Sequence, residues 1–92
     1  MVKRENIAAS IYIMECAGKY KIGLSRDVER RRKQLDNRPF KTTIIYKSPV
    51  MEEVYDLEAA LHDIYKEKNI KGEWFDLSQT DIETIIGYFE EE

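Results

Sequence analysis

The stretch that decides the fold runs Ile7-Ala8-Ala9-Ser10-Ile11-Tyr12-Ile13-Met14, then Glu15-Cys16-Ala17-Gly18-Lys19, then Tyr20-Lys21-Ile22-Gly23-Leu24. Residues 7–14 are rich in β-branched and aromatic side chains and read as a strand. Ala17-Gly18 reads as a turn and residues 20–24 as a second, shorter strand, so the pair makes a hairpin. Ser25 and Asp27 both suit a helix N-cap, with Glu29 near the positive end of the dipole. The helix they open is expected over 28–36, and Asn37-Arg38-Pro39 stops it. Residues 42–47 (Thr-Thr-Ile-Ile-Tyr-Lys) read as a third strand. Ser48-Pro49 breaks it, and a long helix is expected over 51–69. There Val54, Leu57, Leu61, Ile64 and Tyr65 recur at spacings of three and four and make one apolar stripe. Gly72 is read as its end, residues 73–77 as a short extended stretch, and Ser78 or Thr80 as the cap of a last helix through Ile82, Ile85, Ile86 and Phe89.

The expected order is therefore β-β-α-β-α-α. Three strands cannot bury two faces unaided, so the reading is α+β: a small three-stranded antiparallel sheet flanked by helices. The chain has 92 residues, which suits a single domain over 1–92 with one modest core. Hydrophobic residues make up 42% and the net charge is −3, which is the balance of a folding chain and not of a disordered one. One cysteine, Cys16, excludes an intramolecular disulfide and a cysteine-based zinc site. It fits a reducing compartment, and the cytoplasm is the expected location (the host's, if a phage encodes the chain). No apolar run is long enough to span a membrane, and the N-terminal segment is too short and too β-branched to read as a signal peptide.

The small net charge hides a division along the chain. Residues 1–50 hold twelve Lys/Arg against five Asp/Glu, and residues 51–92 hold three against thirteen. Much of the positive charge lies between Arg26 and Arg38, in Arg26, Arg30, Arg31, Arg32, Lys33 and Arg38. By itself such a run is as readily a solvated helix face as a binding surface.

Several features then align: Ser10-Ile11-Tyr12 on the first strand, Lys21-Ile22-Gly23 on the second and Arg31 eight residues after Gly23. Glu58 follows, within Leu57-Glu58-Ala59-Ala60-Leu61-His62, and then Gly72-Glu73-Trp74-Phe75. Over nearly the whole chain this pattern resembles the GIY-YIG nuclease superfamily, in particular a phage-type branch whose second tripeptide reads Lys-Ile-Gly. The resemblance implies a metal-dependent endonuclease that hydrolyses phosphodiester bonds in nucleic acid, with DNA the expected substrate and Mg2+, or Mn2+ in its place, as cofactor. It implies a catalytic set of Tyr12, Lys21, Arg31 and Glu58. Glu58 would hold the metal, and one carboxylate with retained waters suffices for Mg2+. Arg31 would clamp the scissile phosphate with its planar fork. Tyr12 would act as general base or position the attacking water, with Lys21 as the cation that could lower its pKa. Arg26, Arg30, Arg32 and Lys33 would face nucleic acid, with Gly23, His62 and Glu73 in support.

Plainer readings stand beside these. Tyr12 in a strand is commonly a packed aromatic, and Glu58 can sit at the edge of an apolar stripe with no metal. His62, one turn after Glu58, can join it on a transition metal or simply be hydrogen-bonded. Trp74 and Phe75 read as core side chains, with base stacking as the alternative. Ser10 and Lys21 depart from the glycine and tyrosine usual in the wider superfamily. A competing function is a module of the same fold that binds nucleic acid or a protein while chemistry is weak or absent, for instance a regulatory or anti-defence protein of a phage or mobile element. Small size leaves room for a homodimer that cuts both strands.

Overall fold

The computed structural model describes residues 8–36 and 39–90; Ile7 of the first expected strand, and Asn37 and Arg38 of the helix stop and the basic run, lie outside them. The elements are β1 (Ser10–Cys16), β2 (Lys19–Ser25), α1 (Val28–Leu35), β3 (Thr43–Lys47), α2 (Val54–Ile64), β4 (Asn69–Lys71), β5 (Trp74–Phe75) and α3 (Gln79–Glu90), with a 3-10 turn at Lys66–Lys68 between α2 and β4. The class is α+β. The sheet, however, has five antiparallel strands in the order β3-β1-β2-β5-β4, which corrects the expected three strands and the order β-β-α-β-α-α.

The correction has a local cause. Helix α2 stops at Ile64, and Asn69–Lys71 turns back as a strand instead of prolonging the helix to residue 69. Gly72, at φ +58°, is the turn of the β4–β5 hairpin and not a helix end. The Asn69 side-chain amide pins that turn by donating to the carbonyls of Gly72 (2.7 Å) and Trp74 (3.2 Å). Strands of three and two residues are too short to show alternation, so only this amide clasp and the glycine mark the hairpin.

Strand β1 is central and covered on both faces, which is why it reads as an almost continuous apolar run. Ile11 and Ile13 point to the main core, with Ile22, Val54, Leu61, Phe75, Leu77, Ile82 and Ile85, beneath α2 and α3. Tyr12 and Met14 point to the other face, where Val28, Leu35 and Ile44 form a smaller cluster under α1. Trp74, opposite Lys21, shares this second face, whereas Phe75 is in the core. The expectation that both aromatics are core side chains is thus correct for Phe75 and not for Trp74.

The helix starts follow from their caps. Asp27 accepts from the Arg30 backbone N–H at 3.0 Å and opens α1, and Ser25 in turn accepts from the Asp27 N–H. Ser78, not Thr80, caps α3: Ser78 Oγ accepts from the Asp81 N–H at 3.1 Å while Asp81 accepts from the Ser78 N–H at 2.9 Å, a reciprocal box. Lys68 pairs with the same carboxylate, and this bond with the cap holds the Asp81 carboxyl below its ordinary pKa. Among the described residues no helix is long and apolar enough to cross a membrane.

Candidate active site

Tyr12 lies directly across from Gly23 in the β1–β2 ladder, and its ring runs over the Gly23 backbone. A Cβ at position 23 would come within 2.6 Å of Tyr12 Cζ, so glycine is required for the space the phenol occupies and not for an unusual dihedral angle. The Gly23→Ala variant is expected to lose about 1–3 kcal/mol of stability, the usual range for overpacking. Combined with Tyr12→Leu it should cost less than the sum of the two single changes, because shortening residue 12 vacates that space. Denaturant unfolding of the three variants checks this; strictly additive losses would show that the ring does not need the gap.

Tyr12 is 1% exposed. Burial pushes its hydroxyl above the ordinary phenol pKa. Arg31 lowers it through a side-chain hydrogen bond and its charge, and the carboxylates of Glu73 and Glu58 raise it. Three residues from three other places in the chain therefore act on the hydroxyl of Tyr12 on β1: Arg31 on α1 by a hydrogen bond and its charge, and Glu58 on α2 and Glu73 in the β4–β5 turn by their charge. Arg31 is half-buried and also donates to Gln34 Oε1 at 3.2 Å. Glu58 is half-buried as well.

Lys21 sits two residues before Gly23 on the same sheet face and is 6% exposed. Its ammonium is bound to Glu73 Oε1 at 2.7 Å and lies 5.7 Å from the centre of the Trp74 ring. The cation that acts on Tyr12 is therefore Arg31, and Lys21 instead holds Glu73 in place. His62 anchors α2 to β2: its Nε2–H donates to the Ile22 carbonyl at 2.8 Å, and its ring packs edge-on against Phe75. A carbonyl only accepts, so Nε2 carries the proton and is not available to a metal.

The basic residues separate into distinct roles. Arg26, Arg30 and Arg31 line one shallow depression with Ser25, Asp27 and Gln34. Arg32 is turned elsewhere: its guanidinium pairs with Glu29 at 2.7 Å and Asp36 at 3.5 Å and donates to the Thr42 carbonyl at 3.4 Å, tying α1 to the loop before β3. Lys33 is exposed. One candidate was missed by sequence reasoning. Lys47, exposed on β3, is the cross-strand partner of Tyr12 on the side away from Gly23 and shares its face. Only the register, which a bulge between Ile13 and Met14 shifts, places it there.

Among the described residues no group of three or more His, Cys, Asp or Glu side chains is arranged to hold a metal ion. The donor chemistry that a half-buried carboxylate at Glu58 offers suits a hard, largely hydrated cation and not a closed transition-metal site.

The model of the T5orf172 domain matches residues 9–90, and the chain belongs to that family, a nuclease-like one. This corrects the resemblance to the GIY-YIG superfamily: the matching family is T5orf172. The tripeptides that carried the resemblance are short, and a tyrosine packed over a cross-strand glycine is enough to account for two of them. No curated protein and no solved structure matches the chain.

Proposed function

We propose that this domain is a metal-dependent endonuclease that hydrolyses phosphodiester bonds in nucleic acid, with DNA as substrate and Mg2+ as cofactor. The observation that carries this reading is that Arg31 lines a depression with two further arginines and is hydrogen-bonded to Tyr12, on which the charges of Glu58 and Glu73 also act.

Each residue has a role its surroundings fit. Glu58 would hold the cation, which when bound would offset charge on the phosphoryl oxygens and lower the pKa of water. Arg31 binds the scissile phosphate and stabilises the charge that grows on it. Tyr12, buried and kept neutral, fixes the Arg31 guanidinium by its hydroxyl and is poorly suited to take a proton from water. Lys21 keeps Glu73 fixed beside the site. Arg26 and Arg30 receive a flanking phosphate, Lys33 and Lys47 add long-range attraction, and Arg32 supports the loop before β3.

The test is cleavage of labelled single- and double-stranded DNA, and of RNA, with Mg2+, with Mn2+ and with chelator. Divalent-dependent cutting is expected. Without divalent cation the protein should still bind DNA. If about three phosphates are neutralised, affinity should fall with salt at a log–log slope of roughly −3, and Arg26→Ala should make it shallower by about one. Binding that is insensitive to salt, with no cutting of any substrate, would favour the module that binds a protein partner.

A further inference from the structure

The second face of the sheet continues past Lys21 into a surface the mechanism above does not use. Trp74 stands opposite Lys21 in the β2–β5 register, half-buried, while its neighbour Phe75 fills the core on the other side. The indole borders a shallow apolar depression lined by Cys16, Lys19, Ile70 and Lys71. Three lysines border this region: Lys21, whose ammonium lies 5.7 Å from the ring centre, and Lys19 and Lys71, exposed residues that line the depression. Two acids belong to the same neighbourhood. Glu73 is occupied by the buried Lys21, and Asp76 lies 3.4 Å from Lys19. The Lys19–Asp76 pair leaves 50% and 68% of its side chains exposed, so a phosphate can displace the acid at little cost.

We propose that Trp74, with Lys19 and Lys71, is a stacking platform for an unpaired nucleotide of a single-stranded stretch of DNA whose backbone continues into the Tyr12–Arg31 site. The inference rests on the nuclease reading only for where the strand leads. An aromatic ring beside an apolar depression flanked by lysines is a combination that suits single strands, because stacking takes the base and the lysines take the phosphates. Bases within a duplex already have both faces stacked, so the platform selects unpaired ones. Residues 21 and 23 are about 7 Å apart along β2, which puts the platform beside the site on one face, within the reach of neighbouring nucleotides. The surface thus narrows the substrate to DNA with an unpaired segment next to the cut, such as a flap, a frayed end or a single strand.

Trp74 is the chain's one tryptophan, so its fluorescence reports on the platform directly. The whole chain, in chelator to prevent cutting, is titrated with a twelve-residue oligothymidylate, with an abasic strand of the same length and with a blunt duplex. The proposal predicts saturable quenching by the oligothymidylate, little by the duplex, and weaker binding without quenching by the abasic strand. Trp74→Leu should weaken oligothymidylate binding about fivefold to a hundredfold. If that variant does not fold, the Lys19→Ala/Lys71→Ala double variant, altered only at exposed positions, should still weaken it about fivefold or more. Binding by anisotropy with unchanged Trp74 fluorescence, equal affinity for the abasic strand, or no binding of the single strand would overturn the platform. Quenching in a protein that cuts nothing would keep it and remove the nuclease reading; cutting without quenching would do the reverse.

Discussion

Glu58→Gln is expected to reduce divalent-dependent cleavage by at least about a hundredfold to a thousandfold, the range seen when a group that stabilises transition-state charge is removed. The account makes Glu58 the carboxylate that holds the cation, and no third acid or histidine is grouped with it among the described residues to take over. Glutamine keeps the shape and is as good a helix former, so α2 should be undisturbed. DNA binding in chelator should be unchanged or slightly tighter, because a negative charge leaves the site. Single-turnover cleavage with saturating protein, alongside thermal unfolding, checks both halves of the expectation. A wild-type rate in the variant would remove Glu58 from the mechanism.

The second large effect is expected at Arg31, and its neighbours serve as controls. Arg31→Lys keeps the charge but loses the planar fork, so cleavage should fall about a hundredfold while binding changes little. Arg30→Lys, on the same depression but exposed, should be nearly silent. Arg32→Lys should leave cleavage alone and instead lower stability by up to about 1 kcal/mol, because lysine cannot bridge Glu29, Asp36 and the Thr42 carbonyl together. Rates for the three variants, measured under saturating protein, separate a placed guanidinium from a diffuse patch. Equal small losses at all three would mean a patch.

The hairpin, the apolar character of β1, α1 and the third strand are legible in the sequence because each is long enough to show its period or carries its own cap. The β4–β5 hairpin is not, since two strands of three and two residues leave no pattern and Gly72 serves a helix end and a turn equally well. That error also concealed Trp74: residues 73–77 read as one short extended stretch with both aromatics in the core, and only pairing with β2 shows that Trp74 and Phe75 face opposite ways. At the site, Tyr12, Arg31 and Glu58 are singled out only through the family resemblance, and in the fold Arg31 and Glu58 both act on the Tyr12 hydroxyl. The partner of Lys21 depends on the turn that carries Glu73, and the position of Lys47 depends on a bulge. Neither leaves a trace in a single chain. Telling Arg31 from Arg32 requires knowing which helix face meets the sheet, because successive residues on a helix differ by about 100°.

The central claim is that the groups gathered around Tyr12 form a hydrolytic site. The most direct measurement is single-turnover cleavage of a 5′-labelled DNA carrying a single-stranded flap, by the wild-type chain and by Glu58→Gln, with Mg2+ and with chelator. The account predicts cutting by the wild type with Mg2+ alone, near the junction, and none by the variant. Cutting that persists in chelator, or that Glu58→Gln performs at the wild-type rate, would contradict it.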